Sequence, residues 1–245
     1  MLWGSFGLVH LFSLIVGVFL NVCLYFMIKK MPIGWQRLIL FTISLLGIAA
    51  ILFNLFRWNS PLEYLPFHLC SLTALILPFA VITQNKALNN LLLLWSLGAL
   101  FALIINTAQA DFEIFSWTFF FYYIPHVFEC GIPIVMLKLN LFKKDFRCVT
   151  STLIITLITY TAVHFINMAL NNYFVKYHIT NWQNQIIQVN YMYSIKPENP
   201  LLQLFYNLIP YSYWYLFLAL PVILLYLFLL YLPEFKDMKK NRYAK

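Results

Sequence analysis

Charge is what this sequence has least of. Lys, Arg, Asp and Glu make up 10% of its 245 residues, against about 25% in a soluble globular domain. Sixteen basic and eight acidic groups cannot cover the surface of a soluble chain of this size. Water-soluble, secreted and disordered readings are excluded on that ground. Cysteine is scarce too, with four in the chain and no CxxC or other zinc spacing. No metal and no cofactor is expected. Internal repeats of the kind that mark many transporters are missing, as are low-complexity segments and a second soluble domain. The period-2 alternation of a membrane barrel is absent as well.

What is present is hydrophobic residue, 62% of the chain, in long runs between the charges. A membrane helix needs roughly 20 largely apolar residues. Runs of that length give seven spans, at about 6–28, 38–56, 64–83, 88–109, 115–137, 149–171 and 211–232. The fold class is therefore all-α: a polytopic bundle of seven transmembrane helices in one domain. A long outer loop, 172–210, and a basic cytoplasmic tail, 234–245, complete it. The first span has no basic n-region and no small-x-small cleavage site, so it reads as a span rather than a cleavable signal.

The net charge of +8 would suggest nucleic acid in a soluble protein. Its distribution says otherwise. With the N-terminus outside, the inner segments hold Lys29, Lys30, Arg37, Lys86, Lys138, Lys143, Lys144, Arg147, Lys236, Lys239, Lys240, Arg242 and Lys245. The outer segments hold only Arg57, Lys176 and Lys196. This is the positive-inside bias, and an even number of spans would scramble it. It predicts the N-terminus out, the C-terminus in, membrane lipids as partners and no nucleic acid. The expected location is a cell membrane, the cytoplasmic membrane if the source is bacterial.

Ionisable groups within spans are costly, and each is a functional candidate. All five histidines fall on the outer side of this topology. Two stretches stand out, Tyr64-Leu-Pro-Phe-His-Leu-Cys-Ser-Leu72 and Tyr123-Ile-Pro-His-Val-Phe-Glu-Cys-Gly131. At about 1.5 Å per residue, Cys70 lies roughly 10 Å and His126 roughly 13 Å below the outer surface. A thiol near an imidazole is the arrangement for nucleophilic catalysis through a thioester. Taken alone, a buried Cys is a small hydrophobe and an intramembrane His a packing hydrogen bonder.

His126, Glu129 and Cys130 share a face at i, i+3 and i+4. Glu129 either holds the tautomer of His126, as the acid of a triad does, or is a neutral buried acid. His68 points away from Cys70 if both are helical, unless Pro66 unwinds the start of the span. Asn21, Asn54, Asn106 and Asn167 read as interhelical hydrogen bonders. In the outer loop, Asn190, Tyr191 and Lys196 are candidates for holding a lipid headgroup or an acceptor, with a solvated loop charge as the plain reading of Lys196.

At these residues the chain resembles a known family. The Leu65–Cys70 segment, the His126 helix and Asn190-Tyr-Met-Tyr-Ser-Ile-Lys-Pro197 look like the bacterial YwaF-like integral membrane proteins. Those carry an LPLHLC-type segment, a later FFxxH helix and an NYxYLxxKP-type stretch. The likeness runs from about Pro61 to Tyr215. Gln203 departs from it, standing where the bacterial pattern has Asp, and Tyr211-Ser-Tyr213 replaces a GPWP character.

The family includes the eukaryotic transmembrane protein 164, regarded as a cysteine acyltransferase that moves fatty acyl chains between phospholipids. The resemblance implies a Cys70–His126 dyad; Glu129 and His68, from their places beside those residues in the sequence, are the supporting candidates. The implied reaction moves an acyl chain from a phospholipid to a lysophospholipid or lipoprotein acceptor on the outer-leaflet side. A non-enzymatic transport or substrate-binding subunit, or an intramembrane lipid hydrolase using the same pair, are the alternatives.

Overall fold

The computed structural model describes residues 2–4, 6–57, 60–105 and 112–243, with side-chain surroundings for residues 3–4, 6–57, 60–105 and 112–235. Asn106, Asp111 and the basic side chains of the C-terminal tail lie outside those limits. The chain runs through α1 (Leu8–Ile28), α2 (Ile33–Arg57), α3 (Leu69–Thr83), α4 (Lys86–Ile105), α5 (Trp117–Lys138), α6 (Cys148–Lys176), α7 (Pro200–Leu208) and α8 (Leu220–Tyr243). A two-stranded antiparallel ribbon, β1 (Leu2–Trp3) with β2 (Phe112–Glu113), closes one end. Among the described residues, six helices are long and apolar enough to cross a membrane: α1, α2, α4, α5, α6 and the segment Trp214–Phe235. The chain is an all-α, multi-pass membrane protein. In hydrocarbon only helices or closed barrels satisfy their own backbone groups, and this composition makes helices.

α3 is apolar but only 15 residues long. Its helix begins at Leu69, five residues after the expected start of that span. Pro66 disfavours helical geometry in the residue before it. His68 is extended, with φ −72° and ψ 152°, and stands as the N-cap. The long loop expected over 172–210 also holds more regular structure than its length suggests. α6 continues to Lys176, a 3-10 turn spans Tyr191–Tyr193, and α7 occupies Pro200–Leu208.

Short polar links set the helix order. Gln36 Nε2 donates to the carbonyls of Ile28 (3.3 Å) and Met31 (3.0 Å), satisfying groups left open at the end of α1. Gln84 ends α3 in a left-handed conformation, φ 51°, and Asn85 Oδ1 caps α4 at Leu88 N (3.1 Å). Ser116 caps α5 at Phe119 N (3.1 Å).

The largest core cluster joins α1 through α5 on the side away from the ribbon: Leu24, Leu40, Leu77, Leu92, Ile132 and Met136 are members. α4 is buried continuously from Asn89 to Ser96. α6 and α8 lie at the periphery, with much of their apolar surface exposed, as expected where lipid is the solvent.

Two glycines allow close approach. A Cβ on Gly47 of α2 would stand 2.7 Å from Ala74 Cβ of α3 and 3.2 Å from Glu129 Oε1. One on Gly131 of α5 would stand 1.6 Å from Asn21 Oδ1 of α1. Asn21 lies on that glycine and donates Nδ2 to Gly17 O and Val127 O, both 3.0 Å. It is the interhelical link expected of it. Asn167 instead binds the 191–194 segment rather than another α-helix, at Tyr191 O (2.8 Å) and Ser194 Oγ (2.9 Å).

Candidate functional site

Cys70 is the second residue of α3, not a mid-helix residue. The first intrahelical amide bond of this end is Leu72 N to His68 O, 3.0 Å. The amides of Leu69, Cys70 and Ser71 therefore have no partner within the helix. The thiol lies beside the amides of Cys70 and Ser71 and the Ser71 side chain. Helix N-termini carry partial positive charge and favour anions. Cys70 as a residue is half-buried.

α5 brings His126 and Glu129 to the same region. The Glu129 carboxyl is within electrostatic range of both His126 and Cys70, and His68 is in range of His126. Four residues from two separate stretches thus converge. No hydrogen bond joins the Cys70 thiol to either imidazole among the described residues.

The tautomers of the two histidines are set by their backbone partners. His126 Nδ1 lies 2.6 Å from Tyr122 O. A carbonyl only accepts, so the ring proton is on Nδ1 and Nε2 carries the lone pair. The Tyr122 ring packs on the imidazole, with centroids 4.5 Å apart. Glu129 therefore does not hold the tautomer of His126; the preceding helical turn does. Its Oε2 is buried without a hydrogen-bond partner among the described residues.

His68 has the opposite tautomer. Its Nδ1 accepts the amide of Met192 at 3.3 Å, which leaves the proton on Nε2. The ring is held between Tyr191 and Tyr193, at centroid distances of 5.4 and 5.5 Å. Because His68 is extended, the expected mismatch between helical positions 68 and 70 does not arise.

The 190–194 segment that reaches His68 is strained and heavily tied. Met192 (φ 52°), Tyr193 (φ 55°) and Tyr213 (φ 69°) are non-glycine residues in left-handed conformations. Such conformations persist only where surroundings over-determine them. Here Asn167 takes the Tyr191 amide (3.0 Å), the Tyr191 hydroxyl donates to Leu62 O (3.0 Å), and the Tyr215 hydroxyl donates to Tyr193 O. Burial pushes the Tyr191 phenol above its ordinary range, so it stays a donor.

The three loop candidates separate in role. Asn190 spends its side chain on the loop itself. Its Oδ1 accepts from Ile195 N (2.9 Å) and Lys196 N (3.3 Å), and its Nδ2 donates to Lys196 O and Glu198 Oε1, both 2.8 Å. Tyr191 is 2% exposed and committed to Leu62. Neither has a polar group left for a headgroup. Lys196 remains exposed on the same turn.

Two residues that sequence reasoning passed over take part: Met192, whose amide orients His68, and Tyr122, whose carbonyl orients His126. Backbone groups leave no residue-type signal. A separate groove of about 710 Å³ runs between α1, α4 and α5, lined by Asn21, Tyr123, Cys130 and Lys138 among apolar neighbours. It does not include Cys70 or His126.

No curated protein and no solved structure matches the chain. The TMEM164 family model matches it over residues 5–231, a stretch that holds every residue of the site. The chain belongs to the TMEM164 family.

Proposed function

We propose that the protein is a membrane acyltransferase that works through a thioester on Cys70. The observation that carries the reading is a thiol at a helix N-terminus and an imidazole with its lone pair on Nε2, both in electrostatic range of the Glu129 carboxyl, in a chain of the TMEM164 family. His126 Nε2 takes the thiol proton, and the free amides at the start of α3 favour the thiolate. Sulfur attacks the ester carbonyl of a phospholipid. The C–S bond forms, the ester C–O bond breaks, and the lysolipid oxygen leaves with the proton from His126. An acceptor, either a lysophospholipid hydroxyl or a lipoprotein amine, then takes the acyl group by the reverse sequence.

The 13 basic residues assigned to the inner segments against three outside support the N-terminus out and the C-terminus in. With seven crossings, α3 is the short one. The site then opens toward the outer leaflet of a cell membrane, and Lys196 meets the donor phosphate there. The lateral apolar surface around it admits lipid donors without passage through water.

The test is direct. Purified protein incubated with a phospholipid bearing a labelled acyl chain acquires a hydroxylamine-sensitive adduct on Cys70. Cys70→Ala and His126→Ala variants do not. Full lipid remodelling by both variants would overturn the mechanism. Product analysis with and without added lysolipid separates transfer from hydrolysis.

A further inference from the structure

The imidazoles of His68 and His126 lie in electrostatic range of each other, with their protons fixed on different nitrogens, and one base is all that the Cys70 thiol requires. His126 presents a lone pair at Nε2. His68 gives up its Nδ1 lone pair to the Met192 amide at 3.3 Å and presents an N–H at Nε2. A neutral imidazole in that tautomer is a hydrogen-bond donor, not a base at its free nitrogen.

We propose that His68 is the donor that holds the developing oxyanion when Cys70 attacks. The inference rests on the acyl-transfer reading above and assigns a residue within it. As the C–S bond forms, the carbonyl electron pair moves onto oxygen. His68 Nε2–H donates to that oxygen, beside the free amide of Cys70. When the intermediate collapses, the pair returns, the ester C–O bond breaks, and His126 delivers its proton to the leaving oxygen. His68 neither gains nor loses a proton in the cycle. A side-chain donor next to the nucleophile's own amide is a sufficient pair for a tetrahedral intermediate.

The outer segment has a reason to be strained in this scheme. Met192 carries φ 52° and Tyr193 φ 55°, and the segment is tied to Asn167, Leu62 and Tyr215. That arrangement aims one amide at one ring nitrogen, 124 residues away in sequence. A packing histidine would not need the amide, since the Tyr191 and Tyr193 rings already enclose it.

The experiment compares Phe and Gln at position 68, with His126→Gln as the control. His68→Phe keeps the aromatic packing and removes the donor. His68→Gln places an amide N–H about where Nε2–H was and cannot act as a base. The readout is the single-turnover rate of Cys70 acylation by p-nitrophenyl palmitate in detergent micelles, followed by intact mass. His68→Phe should lower that rate by about 10²-fold, the usual loss for one oxyanion donor. His68→Gln should restore it to within about tenfold of the parent, as expected for a donor role. His126→Gln should show no such recovery.

Site-resolved alkylation of Cys70 by iodoacetamide, which forms no oxyanion, should slow in His126→Gln and not in His68→Phe. Acylation of His68→Phe at the parent rate would overturn the proposal, as would a His68→Gln variant as slow as His68→Phe. If the parent protein itself is not acylated at Cys70, the acyl-transfer reading fails. A parent that is acylated beside an unaffected His68→Phe sinks this inference alone.

Discussion

His126 Nδ1 is 2.6 Å from the carbonyl oxygen of Tyr122, one turn earlier on the same helix. The imidazole is therefore oriented locally, by backbone, and needs no acid partner to choose its tautomer. This predicts a specific response to substitution. His126→Asn can still donate to the Tyr122 carbonyl, so α5 should keep its local geometry. It has no basic nitrogen. Alkylation of Cys70 should fall by about 10²-fold or more, the scale of a lost general base, while folding in detergent is retained. Unchanged alkylation kinetics in this variant would remove His126 from the mechanism.

The 190–198 turn holds both a committed side chain and an exposed charge. Asn190 satisfies four groups of its own turn and is 8% exposed. Asn190→Ala should destabilise the loop by roughly 2–3 kcal/mol, because buried backbone partners are left unpaired. Limited proteolysis should then cut between residues 190 and 198. Lys196→Ala removes an exposed charge and should leave protease resistance intact. Its effect should be a raised KM for phospholipid donors with little change in kcat. A matching KM effect from Asn190→Ala without faster cleavage would argue that Asn190 does contact the donor.

Much of this arrangement is written in the gaps between charges. The apolar runs mark where the helices lie, since a bilayer-length run leaves few alternatives. The face shared by His126 and Glu129 follows from helical spacing. The onset of α3 does not follow from hydropathy. Pro66 and the docking of His68 against Met192 and Tyr191 delay it to Leu69, and that delay places Cys70 in a first turn. The roles of Met192 and Tyr122 rest on amide and carbonyl groups that every residue carries. Asn190 and Tyr191 read as ligands because their types suit ligands; only the hydrogen bonds show that the loop uses them itself.

The α1–α5 contact depends on Gly131 and Asn21. Asn21 donates to two carbonyls, one on each helix, and a Cβ at residue 131 would stand 1.6 Å from its Oδ1. Gly131→Ala should displace the amide and destabilise the protein by about 1–3 kcal/mol, the range for overpacking with loss of buried hydrogen bonds. Asn21→Ala removes the obstacle as well as the bonds. The double variant should therefore be clearly less destabilised than the sum of the two, the signature of residues in direct contact. Denaturant titration in mixed micelles measures all three. Strict additivity would mean that the two helices part at this point without consequence.

On the opposite side of the bundle, Asn90 Oδ1 accepts from both the Tyr231 hydroxyl (2.5 Å) and the Asp145 amide (3.1 Å). It thereby joins α4, the α5–α6 loop and α8. Asn90 and Tyr231 are each 1% exposed. Asn90→Leu should cost about 1–3 kcal/mol, because a buried hydroxyl and an amide both lose their acceptor. Tyr231→Phe removes one donor and should cost less. The neighbouring Lys86–Asp145 ion pair behaves differently. A hydrogen bond from Lys86, and then one from the Arg147 amide, holds the Asp145 carboxyl below its usual range. A depressed carboxyl contributes stability above its unfolded value, about 3.9, and that contribution is lost as pH falls through the folded value. The pair is solvent-exposed, so its contribution is small. Asp145→Asn should therefore leave stability near pH 7 almost unchanged and flatten only the decline below about pH 4, where the parent carboxyl takes up its proton. Asn90→Leu should show its full loss at both pH values. An Asn90→Leu loss that disappears in acid would place the strength of this junction in the ion pair instead of the buried amide.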